Sequence, residues 1–406
     1  MTLEMENRIN SAELLHMKES LAIAESLARA SLMTSPSAER RLRARQLELD
    51  SKDDPNGYVP PKHVLLYLVR MGSFTSAHIY NNDDHEDNDI ELPKSMNGDD
   101  LLAIFENDTA TNALQLQREF LRVNDKASDI RVMQWNVLSQ TIGQHYDKFV
   151  NTPRRALEWK HRRFYILQEM ITYMPDIFCL QEVDHFEFLC RTLSTQGYAG
   201  IFCPKPDSPC LHVKDNNGPD GCAIFYLKER FDVIKTKKKV LPVWTISSNQ
   251  VAIIIQLHDN WSNKDICVVT THLKARPGAL MSSIRKEQGR ALMECVSAYS
   301  DQCPLLICGD FNAEPTEAVY DVMCSSTSNL GSAYALDGKE PSYTTWKIRE
   351  EGEQCQTLDY IFYTKNKLRV DAILEFPNDG QIGENRLPSL VYPSDHLSLV
   401  CDISYV

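Results

Sequence analysis

From residue 129 onward, short apolar runs alternate with segments of helical spacing. The runs at 130–138, 176–183, 221–227, 250–257, 266–273, 358–363, 370–376 and 397–403 predict strands, being four to nine residues long and bounded by turn formers. Leu305 to Cys308, bounded by Pro304 and Gly309, predicts a central strand covered on both faces. Helical spacing predicts helices over 155–173 and 285–300, the second with Ala291, Leu292, Cys295, Val296 and Tyr299 on its apolar side. Pro315 suits the first turn of a further helix over 316–323. Several neighbouring strands have no helix between them, which disfavours a purely parallel sheet and predicts an α/β mixed-sheet sandwich flanked by helices.

Before residue 129 the pattern weakens. Leu14, Leu15, Leu21, Leu27 and Ala28 have helical spacing and predict a solvated helix, with a partner-binding or membrane-surface helix as the alternative, and 39–45 is locally basic. The tract NNDDHEDND at 81–89 lacks the apolar surface to order itself and predicts a disordered linker. Leu101, Leu102, Phe105, Leu114, Leu116 and Leu121 predict a short amphipathic helix over 101–123. These readings divide the chain into an extension, 1–125, suited to a protein partner, and a folded domain, 126–406.

Polar residues interrupt the apolar runs at their ends, and there the candidate chemistry lies. Asp310 and Asn312 follow LLICG at i, i+2 spacing, which sends both side chains to one side of an extended backbone, while Gly309 leaves room for close approach of another group. Asn136 ends an apolar strand in MQWNVL, Glu182 follows IFCLQ, His272 follows VVTT, Asp359 opens a strand in TLDY, and Asp395 and His396 precede the last strand. One such residue is a solvated strand end. Six such sites on one domain converge, because strand ends of one sheet meet in space and α/β folds place ligands there. The donors are carboxylate and amide oxygens with two imidazoles, and there is no HExxH helix and no CxxC pair. They suit Mg²⁺, or Mn²⁺, and argue against zinc. Either histidine would stabilise charge on a phosphoryl oxygen or move a proton.

Composition narrows the picture. A formal charge of -13 argues against a broad polyanion surface and leaves room for a local basic pocket. All twelve cysteines fall between Cys179 and Cys401, several inside apolar runs, and predict reduced core thiols in a reducing compartment, the cytoplasm or else the mitochondrion. No run reaches the eighteen apolar residues of a membrane span.

The motifs WNVL, LQEV, DGCAIFY, THLKA, CGDFN, TLDY and PSDHLS, in this order, resemble the exonuclease-endonuclease-phosphatase superfamily of Mg²⁺-dependent phosphoester hydrolases, in its deadenylase-like branch. The resemblance covers about 130–406 and implies a four-layer fold with one catalytic centre at the common end of two sheets. It implies Glu182 as principal metal ligand with Asn136 as companion. Asp310 and Asn312 would orient or deprotonate water and position the phosphate, and His396, oriented by Asp395, would stabilise the transition state. His272 would be a second phosphate contact and Asp359 a further catalytic carboxylate. NNGPDGCA, THLKAR and YTTWKIR narrow the resemblance to members that remove the 2′-phosphate of NADP⁺ and NADPH, with Lys205, Asn217, Lys274, Arg276 and Arg349 as substrate-binding residues. The branch as a whole implies 3′-to-5′ removal of poly(A) from RNA. An mRNA-regulatory scaffold acting through residues 1–125 is the non-enzymatic alternative.

Overall fold

Period-two alternation decides where each strand's side chains go. In β2 (Ile130–Asn136), Ile130 and Val132 face one apolar cluster while Met133 and Trp135 face another, so the strand is covered on both sides. The computed structural model describes residues 91–106, 116–124, 128–214, 216–244, 246–324 and 329–406. The segments 14–28, 39–45 and 81–89 lie outside them.

One sheet has seven strands, in the order β1 (Phe120–Arg122), β14 (Leu368–Leu374), β15 (Leu399–Tyr405), β2, β3 (Ile177–Val183), β5 (Gly221–Leu227) and β4 (Tyr198–Pro204). The other has six: β10 (Leu330–Ser332), β13 (Asp359–Thr364), β9 (Leu305–Asp310), β8 (Lys264–His272), β7 (Ile246–Asp259) and β6 (Phe231–Val243). Only β2/β3 and β8/β9 run parallel within these two sheets, which are therefore mixed. Val132, Cys179, Val268, Cys308 and Cys401 pack between the sheets. Helices α1 (Gly98–Glu106), α3 (Trp159–Tyr173) and α4 (Phe186–Thr195) cover the outer face of the first sheet. Helices α5 (Ala279–Ser297) and α6 (Ala318–Cys324) cover that of the second. The result is the expected α-β-β-α sandwich, and Cys179, Cys222, Cys267, Cys308 and Cys401 are buried free thiols within it.

Several elements differ from their predicted form. The helix expected from 155 starts at Trp159, after a 3₁₀ turn at Arg154–Leu157. Of the helix expected over 101–123, residues 101–106 belong to α1, 107–115 with Leu114 lie outside the described residues, and Leu121 belongs instead to β1, which pairs with β14. β6 escaped notice because its exposed lysines mark an edge strand, where period-two hydrophobicity fades.

The folded unit also starts earlier than 126. Leu101 and Phe105 are buried against α3, and the Arg118 side chain, 1% exposed, meets the fully buried Glu169 at 3.3 Å. Arg118 donates as well to the Ser398 hydroxyl at 2.9 Å and the Ser398 carbonyl at 2.8 Å.

Two outcomes follow. A chain starting at residue 91 should keep the unfolding transition of the folded unit, whereas one starting at 129 leaves Glu169 buried without its cation and should lose about 3–5 kcal/mol. Equal urea midpoints for the two would refute the earlier boundary. Gly309→Ala should also destabilise, by about 1–3 kcal/mol, because an added Cβ would lie 2.4 Å from the Thr271 carbonyl oxygen of the parallel neighbour.

Candidate active site

The alternation that fills the core also builds the site. Along β2 the inward positions run Ile130, Val132, Gln134, Asn136; along β8 they run Ile266, Val268, Thr270, His272; along β9, Leu306, Cys308, Asp310; and along β13, Ile361 then Asp359. Apolar residues thus give way to polar ones at one end of the inter-sheet core. The first polar layer is a buried amide pair. Gln134 Nε2 donates to Gln181 Oε1 at 2.7 Å and to Asp359 Oδ1 at 3.2 Å, and Gln181 Nε2 donates to Thr270 Oγ1 at 2.9 Å in the opposite sheet.

Above it, Asp310 stands between His272 on β8 and Asp359 on β13, its direct register partners. Asn136 Nδ2 reaches Asp310 Oδ2 from the facing sheet at 3.0 Å and Glu182 Oε1 at 3.0 Å. Asn136 Oδ1 accepts from the Leu138 N–H. The amide is therefore a clasp between two carboxylates and, in this arrangement, not the open metal ligand expected of it. Glu182 comes next to inward-facing Gln181 and would point away in a regular strand. A bulge in β3 opposite β5, with Glu182 at φ +56, turns it back to the site. Asn312, at φ +50, donates its N–H to Asp310 Oδ1 at 2.8 Å and its amide Nδ2 to the Leu273 carbonyl at 3.1 Å. That Asx turn locks both motif residues.

His396 is oriented by Asp359, not by its neighbour Asp395. Its Nδ1 lies 2.8 Å from Asp359 Oδ2, whose other partner there is the Thr344 hydroxyl, while its Nε2 lies 3.8 Å from Asp310. Asp395 Oδ2 approaches the other ring nitrogen, Nε2, only to 3.8 Å, so adjacency misled. Asp395 instead takes Lys347 Nζ at 2.5 Å and Arg349 Nη2 at 3.3 Å. Lys347, 3.4 Å from His396 Nε2, is a residue that sequence reasoning missed, although WKIR carried it. It comes from a hairpin, β11 (Thr345–Arg349) and β12 (Gly352–Gln356), whose alternation gave no core pattern to read.

Burial sets the charges. It pushes Asp310 up to about 6, with the His396 ring pulling against it and Asp359 adding to it. Burial opposes a charged His396, but the Asp359, Asp395 and Asp310 carboxylates together outweigh it and raise His396 to about 9. His272 is driven well below its usual range by burial and by Lys205, and stays neutral, its Nε2 3.6 Å from Asp310. Asp395 is held below the carboxylate range because Lys347, His396 and Arg349 overcome its desolvation.

The expected substrate cations differ in situation. Lys205 is buried and bound to Asp220 at 2.5 Å, Lys274 is buried and pushed down to about 8 by desolvation, and Arg276 is exposed at φ +90. Arg349 is about three-quarters buried, and Asn217 is half-buried in the loop leading into β5. Two buried arginines organise the loops. Arg285 donates to the Lys274 and Arg276 carbonyls, and Arg162 to those of Val137, Leu138 and Pro393.

A family model for the endonuclease/exonuclease/phosphatase family matches residues 133–396. The chain belongs to that family. It is 44% identical to Nocturnin of Drosophila melanogaster over 94% of its own length and 72% of the relative's. The human Nocturnin catalytic domain, solved with a bound sulfate anion, is 44% identical and superposes with a TM-score of 0.61 over 71% of this chain and 98% of that one. A more distant relative, the CCR4-Not complex 3′-5′-exoribonuclease subunit Ccr4 of Mycosarcoma maydis, is 27% identical over 70% of this chain and 52% of its own length. The chain is thus a metal-dependent phosphoester hydrolase of this family, and among the described residues no helix is long and apolar enough to cross a membrane.

The donors fit a hard divalent cation. Asp310, Asp359 and His396 bring ligand atoms within 4.8 Å of one another, and the raised Asp310 shows negative charge short of compensation. Glu182, expected as the principal ligand, is half-buried and adjoins Asp310 through Asn136, with its Oε1 accepting from Asn136 Nδ2 and its Oε2 from the Ser139 N–H. When bound, such an ion neutralises phosphoryl oxygens and favours the departing alkoxide. In such a reaction Asp310 would accept a proton of the attacking water, and His396, kept cationic by the carboxylates around it, would stand beside the forming charge. Asp359 holds the ring in position.

Asp359→Asn should therefore cut turnover by about 10²- to 10⁴-fold, the range of a lost acid-base or charge-stabilising group, with the Michaelis constant nearly unchanged. Asp395→Asn, acting through Lys347 and Arg349, should disturb substrate affinity more than turnover. The reverse pattern in steady-state kinetics would restore Asp395 as the orienting carboxylate.

Proposed function

We propose that this hydrolase removes the 2′-phosphate of NADP⁺ and NADPH with water, giving NAD⁺ or NADH and inorganic phosphate. The observation that carries the reading is a set of cations arranged around Glu182 and His272. Lys205 acts electrostatically on Glu182 and His272, Lys274 on the same side senses Lys205 and Arg276, and Arg349 senses Glu182 and Asp395 across the site. A dinucleotide carries a pyrophosphate and a terminal phosphate close together, and a compact ring of cations suits it better than it suits a long chain. Relatives named Nocturnin are 44–49% identical to this chain, and the human catalytic domain was solved with a bound sulfate, an oxyanion of phosphate's shape.

Exoribonuclease action is the second reading, favoured by the Ccr4 relative and by Lys237, Lys238 and Lys239 on edge strand β6. Lys239 pairs with Ala252 and, through it, lies level with Thr271 beside His272.

The deciding measurement sets phosphate release from NADPH against shortening of an oligo(A), with Mg²⁺ and with excess chelator. Phosphate release that chelator and Glu182→Ala abolish supports the dinucleotide reading. Arg276→Ala should raise the Michaelis constant for NADPH about threefold to tenfold, as for an exposed charge-assisted contact, and leave a small generic phosphate ester unaffected. Ready shortening of oligo(A) with NADPH untouched would replace this reading by the second.

A further inference from the structure

Nothing in the chemistry above uses the loop 146–150, YDKFV, yet it is built against the hairpin. It follows α2 (Gln140–His145). Lys148 turns the chain through φ +52, Phe149 pairs antiparallel with Arg349 as an isolated bridge, and the Val150 N–H donates to the Ile348 carbonyl at 3.2 Å. Lys148 Nζ also meets Glu350 at 2.7 Å across the surface. The Arg349 guanidinium is gripped from three directions. Asp147 Oδ1 lies 2.7 Å from Nη2, Asp395 Oδ2 lies 3.3 Å from the same nitrogen, and the Phe149 ring lies 5.4 Å from Cζ.

Asp147 is 12% exposed, so a carboxylate has been taken out of water to face this one cation. Without it, Arg349 would depend on Asp395, whose Oδ2 already holds Lys347 at 2.5 Å, and Lys347 in turn stands 3.4 Å from His396 Nε2. Asp147 therefore fixes Arg349 from a second side, so that Asp395, shared with Lys347, is not its sole anion. We propose that Asp147 and Phe149 are positioning residues that hold Arg349 as a pre-oriented fork at the rim, where its exposed quarter receives a phosphate oxygen of the substrate, so that this loop sets substrate affinity without touching the reacting phosphate. A side chain already fixed loses less freedom on binding than one that must be ordered. The inference rests on the NADP(H) reading for the identity of the substrate, not for the coupling of the two residues.

The test is a double-mutant cycle on the full chain with NADPH and, in parallel, a small generic phosphate ester. Asp147→Ala should raise the Michaelis constant for NADPH roughly two- to tenfold, the range expected for one side chain that must be ordered anew, with turnover unchanged. Asp147→Asn keeps an acceptor oxygen in place and should lie near wild type. In an Arg349→Ala background, Asp147→Ala should add nothing, since the two act as one unit. Phe149→Leu gives a second route to the same answer if Asp147→Ala does not fold, and should raise the Michaelis constant only where Arg349 is present. Independent, multiplying effects of Asp147→Ala and Arg349→Ala overturn the proposal, as does an equal loss of turnover on both substrates. If wild type leaves NADPH untouched, the same cycle is run on the oligo(A) it shortens, so the coupling stands or falls apart from the substrate.

Discussion

The polar layer formed by Gln134, Gln181 and Thr270 is the constraint on which the site depends. It bridges the two sheets below the catalytic groups and hands a hydrogen bond upward to Asp359. Buried amides are costly unless every donor and acceptor is matched. Matching them fixes the relative height of the sheets, and with it the distances among Asn136, Asp310, Asp359 and His396. An apolar pair at 134 and 181 would pack the core as well and leave the sheets free to slide.

Above that layer the site holds more negative charge than it can settle internally. Asp310 and Asp359 are directly opposed across β9 and β13, an arrangement that like charges disfavour. The conflict is shared out among partners: Asp359 is satisfied by His396 and Thr344, Asp395 by Lys347 and Arg349, and Asp310 by two amides that carry no charge. Asp310 is the member left nearest to protonation, and a divalent cation beside it completes the balance.

Much of this was legible in the chain because strand alternation links a residue's number to its face. Asn136, His272 and Asp310 extend the inward parity of the apolar residues before them and Asp359 that of Ile361 after it, so both the sandwich and its polar end follow from the same pattern. What escaped depends on contacts between distant segments. The true partner of His396 lies 37 residues away, Asp147 reaches Arg349 from a loop without periodicity, and Arg118 finds Glu169 only when β1 has joined β14. Glu182 was found by its place at the end of an apolar run and not by parity, since only the bulge that turns it inward explains its face.

The strand order of the first sheet places β1 beside β14 and β2 beside β15. Among the described residues, β1 and β2 thus pair on that side with strands far later in the chain, a long-range arrangement that slows folding. Trp135 Nε1 donates to the His396 carbonyl and the Ser394 hydroxyl donates to the Asn136 carbonyl, so the catalytic histidine is seated by that same final pairing. A chain in which β15 has not yet paired with β2 therefore lacks the seat for His396, and the centre assembles only with that long-range pairing.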